Sequence, residues 1–243
     1  MNKFLEIAKN EQIEIANSNV LNNENRSVEK VEENFMDKDL IDEILIIYHK
    51  PEHIQQVINA LKIKIKSNCQ KEFWDKFFVK TLNYIFRVLA DSNKTNSTVI
   101  LCIDYLIDLV QAQYQRIIPI MDTFLHNVLG CYQFNPKIWD IVDELFKWII
   151  KFSTPLEMLK ILISKMPKED TPILQNVIKQ MTYCLKTLQE NQKEEAYQLL
   201  SQNSTQIMNF SSHEKSEVKR AIILFLAQAK LNFEENFDNI FTI

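Results

Sequence analysis

From residue 36 onward, apolar residues recur every three or four positions with few gaps, the period of an amphipathic α-helix. Ile54, Val57, Ile58, Leu61 and Ile65 form one stripe. Phe78, Leu82, Ile85 and Leu89 form a second, and Val99, Cys102, Leu106 and Leu109 a third. Ile117, Met121, Phe124 and Val128 read as a fourth stripe, and Ile138, Val142, Leu145 and Ile149 as a fifth. Val218, Ala221, Ile222, Phe225 and Ala229 close the series. Several helices are apolar on a second side, as at Trp139 and Trp148, which suits helices flanked by neighbours.

The helix starts carry chemical marks. Thr154-Pro155-Leu156-Glu157 offers a hydroxyl to cap the first turn, a proline where no amide hydrogen is needed, and a glutamate three residues on. Thr171-Pro172 and Asn135-Pro136 repeat the device, and Lys50-Pro51 marks another boundary. Paired as antiparallel hairpins, the helices turn near Lys50, Asp91, Gln133, Pro167 and Ser211. The turns are 41, 42, 34 and 44 residues apart. HEAT and armadillo units run about 40–47 residues, and three of the four spacings fit. One hairpin cannot bury its own apolar face, so stacking must supply the core. The sequence therefore predicts an all-α solenoid of about five antiparallel helix hairpins over 36–243. Residues 1–35 differ: Asn, Glu and Ser dominate from Asn17 to Asn34, which reads as a linker, while Phe4, Leu5, Ile7 and Ala8 suit one short docking helix.

Composition narrows the function. Gly130 is the only glycine, where average usage of about 7% would give roughly 17. Phosphate loops of the G-x-G-x-x-G and G-x-x-x-x-G-K-[ST] types are thus impossible, and glycine-dependent hairpin turns become scarce. The net charge of −4, from 28 basic and 32 acidic residues, lacks the basic excess of a nucleic-acid binder. No apolar run approaches the ~18 residues of a membrane span. Glu6, Glu11 and Glu14 follow the first apolar residues, which predicts no secretory leader. Cys69, Cys102, Cys131 and Cys184 are widely spaced, with no C-x-x-C pair, and read as reduced cytosolic thiols. The Asn-x-Ser/Thr matches at Asn25, Asn93, Asn96, Asn203 and Asn209 are then chance occurrences.

Little catalytic or metal chemistry survives inspection. His49 and His53 are four apart, but Pro51 lies between them and further ligands at tetrahedral spacing are missing. His126 sits in an apolar helix and reads as a core or groove residue. Trp74, Trp139 and Trp148 read as core. Cys102 and Cys184 occupy stripe positions and behave as small hydrophobes. The expectation is a non-catalytic protein without cofactor or metal. One pattern suggests binding: the predicted turns offer Lys50, Lys94, Lys137, Lys168 and Lys215, with Lys219 and Arg220 on the following helix. Such a row of cations suits an acidic protein surface and speeds association, although acidic residues share the same turns.

Several segments resemble the C-terminal helical-repeat domain of the CLASP family, the cytoplasmic linker-associated proteins of microtubules. Phe73-Trp74-Asp75-Lys76-Phe77-Phe78 is similar to that domain's Trp-Asp-x-x-Phe helix start. Ser153-Thr154-Pro155-Leu156-Glu157 with Leu159-Lys160-Ile161-Leu162 is similar to its Ser-Pro-Glu cap and Lys-Val-Leu helix. Pro172-Ile173-Leu174 with Ile178-Lys179 resembles the next helix, and Glu217-Val218-Lys219-Arg220-Ala221 the opening of the last full repeat. Order and spacing hold from about residue 52 to 238. The resemblance implies a TOG-like HEAT array in the cytoplasm, on the microtubule cytoskeleton, at a spindle or kinetochore, while the shortness of the chain beside the family's members suggests a ciliary structure. It also implies a domain that chiefly recruits protein partners. Tubulin-binding TOG domains place a tryptophan in the first intra-repeat turn, where this chain has His49-Lys50-Pro51-Glu52. That departure favours partner docking over direct tubulin binding, which stays as the alternative, with a HEAT scaffold outside the cytoskeleton as a third reading. An apolar outer face at either end of the stack would permit a homodimer.

Overall fold

The computed structural model describes residues 51–66, 71–91, 94–166 and 171–241. The chain divides after Ile47, and the description concerns the unit Tyr48–Ile243. The expected boundary at residue 35 lies outside the described residues.

The helices are α1 (Pro51–Lys66), α2 (Lys71–Ala90), α3 (Asn96–Ile117), α4 (Met121–Gly130), α5 (Trp139–Phe152), α6 (Pro155–Ser164), α7 (Thr171–Thr187), α8 (Lys193–Asn209), α9 (Ser216–Phe233) and α10 (Phe237–Ile240). No strand occurs among the described residues. The stripes read from the sequence supply the core: Ile58, Ile85, Leu106, Phe124, Leu145 and Phe225 are all buried. None of the described helices is long and apolar enough to cross a membrane.

The helices form two layers. In one, α1 packs on α3, α3 on α5, α5 on α7, and α7 on α9. In the other, Phe86 of α2 meets Phe124 of α4 (5.7 Å between rings). Lys165, just past α6, pairs with Asp122 of α4 (2.7 Å), and α8 packs on α6. Each second-layer helix and the first-layer helix after it make one hairpin. Members of the first layer run parallel. Lys62 of α1 pairs with Asp104 and Asp108 of α3, and Asn232 near the end of α9 donates to the Leu185 carbonyl near the end of α7 (2.7 Å).

Local chemistry sets the breaks. The Thr95 hydroxyl accepts from the Thr98 amide (3.3 Å) at the start of α3. The Thr154 hydroxyl accepts from the Glu157 amide (3.2 Å) at the start of α6, with Pro155 in the first turn. Asn135 caps as expected, accepting from the Lys137 amide (3.0 Å), but it opens a 3₁₀ turn, Pro136–Ile138, that leads into α5. The stripe that ran Ile117 and Met121 together is broken at a 3₁₀ turn, Ile118–Ile120, because Pro119 cannot continue the ladder of α3. Arg116 fastens that end of α3 to the start of α2, pairing with Asp75 and donating to the Lys71 carbonyl (3.2 Å). His126, expected in the core or a groove, is exposed. Met121, Phe124, Leu125, Val128 and Leu129 define the buried face of α4, and His126 is turned off it. Trp74 is buried, whereas Trp139 and Trp148 are half-buried.

Candidate functional site

The intra-repeat turns bring several of the predicted lysines to defined places. Lys94 lies in the turn between α2 and α3 and reaches across to the next one. Its ammonium sits 3.9 Å above the centre of the Phe134 ring and donates to the Asp91 carbonyl (2.6 Å). Burial holds it below the usual lysine range, against the opposing pull of the Cys131 thiol and Asp91. Lys94 thus ties two consecutive turns together by a cation–π contact. Lys137 is exposed, held through its backbone amide by the Asn135 cap. Lys215 is exposed at the N-cap of α9, with its amide donating to His213 Nδ1 (3.2 Å). Lys219 and Arg220 are exposed on the first turns of α9. Lys50 and Lys168 lie outside the described residues.

The edge is not purely basic. Exposed Asp91, Asp140, Glu214 and Glu217 stand among the lysines. Hydrogen bonds at the start of α9, to its own amide and to Ser216, hold the Glu217 carboxyl below the usual carboxylate range; Lys215 and Arg220 add to this. The carboxylate therefore stays charged, and the edge presents both signs.

A second surface was not singled out from the sequence. On the outer side of the first layer, α7 is recessed between α5 and α9, and a groove of about 910 Å³ runs over it. Its α9 wall carries Ala221, Leu224, Ala227 and Leu231. Leu224 is 59% and Leu231 72% exposed, uncommon for leucines sharing one stripe. Lys147, Lys179, Lys186 and Arg220 supply the groove's cations, and Asp140, Asp143, Glu144 and Glu217 its anions. A smaller groove of about 440 Å³ shares Glu144, Lys147 and Tyr183 and continues to Trp148 and Lys151. There Trp148, Phe152 and Tyr114 stack in sequence at 6.1 and 5.6 Å, with the Lys151 ammonium 4.3 Å over Trp148.

Between α5 and α7, beneath the larger groove, lies a buried polar bracket. The Tyr132 hydroxyl donates to Asp143 Oδ1 (2.7 Å). Gln180 Nε2 donates to the same oxygen (2.6 Å) and to the Tyr132 oxygen (3.0 Å), and Lys179 pairs with Asp143 Oδ2. Burial, reinforced by the Asp143 carboxylate, keeps the Tyr132 hydroxyl protonated. Both Asp143 oxygens, the Tyr132 hydroxyl and the Gln180 Nε2 group find partners within the cluster, so it reads as a structural tie.

The three described cysteines are buried and offer no nucleophile. Burial pushes the Cys102 and Cys131 thiols up to about 12, and Cys184 is raised for the same reason. No group of three or more His, Cys, Asp or Glu fit to hold a metal occurs among the described residues. The side chains of His49 and His53 lie outside them.

No protein-family model and no curated protein sequence matches the chain. Solved structures do. One is crescerin, described as using a TOG domain array to regulate microtubules in the primary cilium. It aligns with TM-score 0.66 at 14% identity, covering 85% of this chain and 81% of that one. Another comes from work on TOG–tubulin binding specificity, which promotes microtubule dynamics and mitotic spindle formation. Its TM-score is 0.59 at 13% identity, covering 87% and 83% of the two chains. The fold is that of a TOG-like HEAT solenoid. Identities this low carry the architecture across, and the functional residues must be argued from this chain.

Proposed function

We propose that this chain is a non-catalytic microtubule-associated protein that binds tubulin through the edge formed by its intra-repeat turns. One observation carries the reading: the stack aligns with TOG-domain structures over most of both chains, and those proteins are described by their action on tubulin and microtubules. Exposed Lys137, Lys215 and Lys219 on that edge supply cations for an acidic partner surface, steering encounter and setting register. Lys94 acts indirectly, by holding its turn against Phe134. The kinship with the C-terminal CLASP domain, and a location on cytoplasmic microtubules, belong to the same proposal.

A second reading is the recruiting scaffold, in which protein partners other than tubulin dock on the stack. The apolar wall of the α7 groove favours it, because partner cores are built on exposed apolar anchors of this kind. Co-sedimentation of the pure protein with microtubules separates the two. Direct binding predicts that the pure chain pellets, that salt weakens pelleting, and that Lys137→Glu/Lys215→Glu/Lys219→Glu weakens it about tenfold or more. Pelleting only after cell extract is added would replace it with the scaffold reading. No pelleting under either condition would leave the TOG-like fold without a microtubule function.

A further inference from the structure

We propose that the edge opposite the intra-repeat turns binds an extended acidic segment of a partner protein, laid along the stacked rings of Trp148, Phe152 and Tyr114. The members of the first layer run parallel, so α3, α5 and α7 all finish on this edge, away from the lysines of the turns. The ends of α3 and α5 carry exposed apolar surface. Phe152 is 41% and Ile118 49% exposed, and Trp148 and Tyr114 are half-buried. The Ile118 amide donates to the Tyr114 carbonyl one turn before it, so the two side chains lie on one side of that helix end. With the rings stacked at 6.1 and 5.6 Å, this makes a continuous apolar track from α3 to α5.

The spacing of the rings suits an extended chain. Side chains on one face of a strand are two residues apart, about 6.7 Å. Alternate side chains of a bound segment therefore fall against successive rings. Beyond Trp148 the track opens into the groove of about 440 Å³, which shares Tyr183 with the larger groove over α7. An open, elongated track of this kind takes a chain segment, whereas small molecules are held in pockets that enclose most of their surface.

The charges set the sign of the partner. Within the smaller groove Glu144 and Lys147 pair with each other (3.0 Å), and beside Gln192 the Glu190 carboxylate pairs with Lys193 (2.7 Å). Arg116, two residues from Tyr114, is held by Asp75. Lys151 and Lys186 are exposed on the last turns of α5 and α7 and have no carboxylate partner among the described residues. Lys151 lies instead 4.3 Å over Trp148, which puts a cation directly on the track. Glu157 stands near Tyr114, at the far end, so the free cations gather around Trp148 and Tyr183. A segment that alternates carboxylates with apolar side chains answers both features. Its apolar side chains meet the rings, and its carboxylates meet Lys151 and Lys186.

The test is fluorescence anisotropy of a labelled peptide alternating Glu with Leu and Phe, titrated with the full chain in the absence of tubulin. The same peptide with Lys in place of Glu is run beside it. The chain carries a net charge of −4, so bulk charge alone would favour the Lys peptide. The Glu peptide is expected to bind about tenfold or more tightly than the Lys peptide, and to weaken as salt rises. Lys151→Glu/Lys186→Glu changes two exposed positions, so its circular dichroism should match the wild type. It should weaken the Glu peptide about tenfold or more and reverse the preference in favour of the Lys peptide. Phe152→Ser should weaken the Glu peptide about tenfold. Lys137→Glu/Lys215→Glu, on the opposite edge, should leave it unchanged. No binding of the Glu peptide at about 100 μM chain overturns the proposal. So does binding that survives Lys151→Glu/Lys186→Glu or Phe152→Ser, or that falls as far in Lys137→Glu/Lys215→Glu. Because tubulin is absent, the result stands apart from the fate of the microtubule reading.

Discussion

The seam between α5 and α7 and the outer face of α9 belong to one layer and are finished in opposite ways. At the seam, a buried carboxylate, a tyrosine hydroxyl, a glutamine amide and a lysine satisfy one another. On α9, leucines face solvent with no polar residue to cover them. A seam between helices that are always neighbours can use directional hydrogen bonds, which fix register and punish slippage. The outer face of α9, lining the groove over α7, instead leaves Leu224 and Leu231 exposed in one stripe, which is uncommon for a solvent-facing helix side.

The comparison breaks most sharply within α9 itself. Phe225 is fully buried, and Leu231, six residues further along the same helix, is 72% exposed. Phe225→Ala is expected to cost about 3–5 kcal/mol, through lost burial and a residual cavity. Leu231→Ala should stay within about 0.5 kcal/mol. Urea denaturation of both variants measures the difference. Equal costs would mean that the outer face is packed inside the folded monomer, and the contrast between seam and face would fall.

At the seam, the next largest effect belongs to Asp143→Ala. The substitution leaves the buried Tyr132 hydroxyl and Gln180 amide without their shared acceptor, and strands Lys179. A loss of about 2–3 kcal/mol is expected, read from the same denaturation curves. A loss below about 0.5 kcal/mol would show that water replaces the carboxylate and that the seam is held by apolar packing alone.

Much of this architecture can be read from residue order. The last stripe, Val218, Ala221, Ile222, Phe225 and Ala229, is the buried face of α9, and the turns expected near Asp91, Gln133 and Ser211 lie where helices or 3₁₀ turns end. Periodicity reports which side of a helix is apolar, and that suffices for layers. It does not report which side of a helix its neighbours leave open, so Leu224 and Leu231 read as ordinary helix residues until the packing is known. Nor does it report contacts between turns: Lys94 is drawn onto Phe134, 40 residues away, and so differs from the exposed Lys137 and Lys215. The Asp143 bracket was equally hidden, because Tyr132, Asp143 and Gln180 sit on three elements with no motif linking them. His126 was misplaced for a simpler reason: an apolar helix still has a wet side.

The smallest effect tests what kind of tie the seam is. Asp143 and Lys179 form an ion pair, but their side chains differ in exposure, 12% for the carboxylate and 54% for the ammonium. Lys179→Met removes the charge and keeps most of the stem. The Asp143 carboxylate would retain two donors, the Tyr132 hydroxyl and the Gln180 amide, so no buried group is orphaned. A half-exposed lysine is screened by water and salt, and its loss should cost about 0.5 kcal/mol or less. That cost should shrink further at high ionic strength. Denaturation of Lys179→Met at low and high salt, set beside Asp143→Ala, separates the contributions. If the two variants lose equal stability, the seam is an ion pair with hydrogen bonds as bystanders. If Lys179→Met is nearly silent, the tie is the neutral network around Asp143, and the lysine is a surface residue leaning over the floor of the groove.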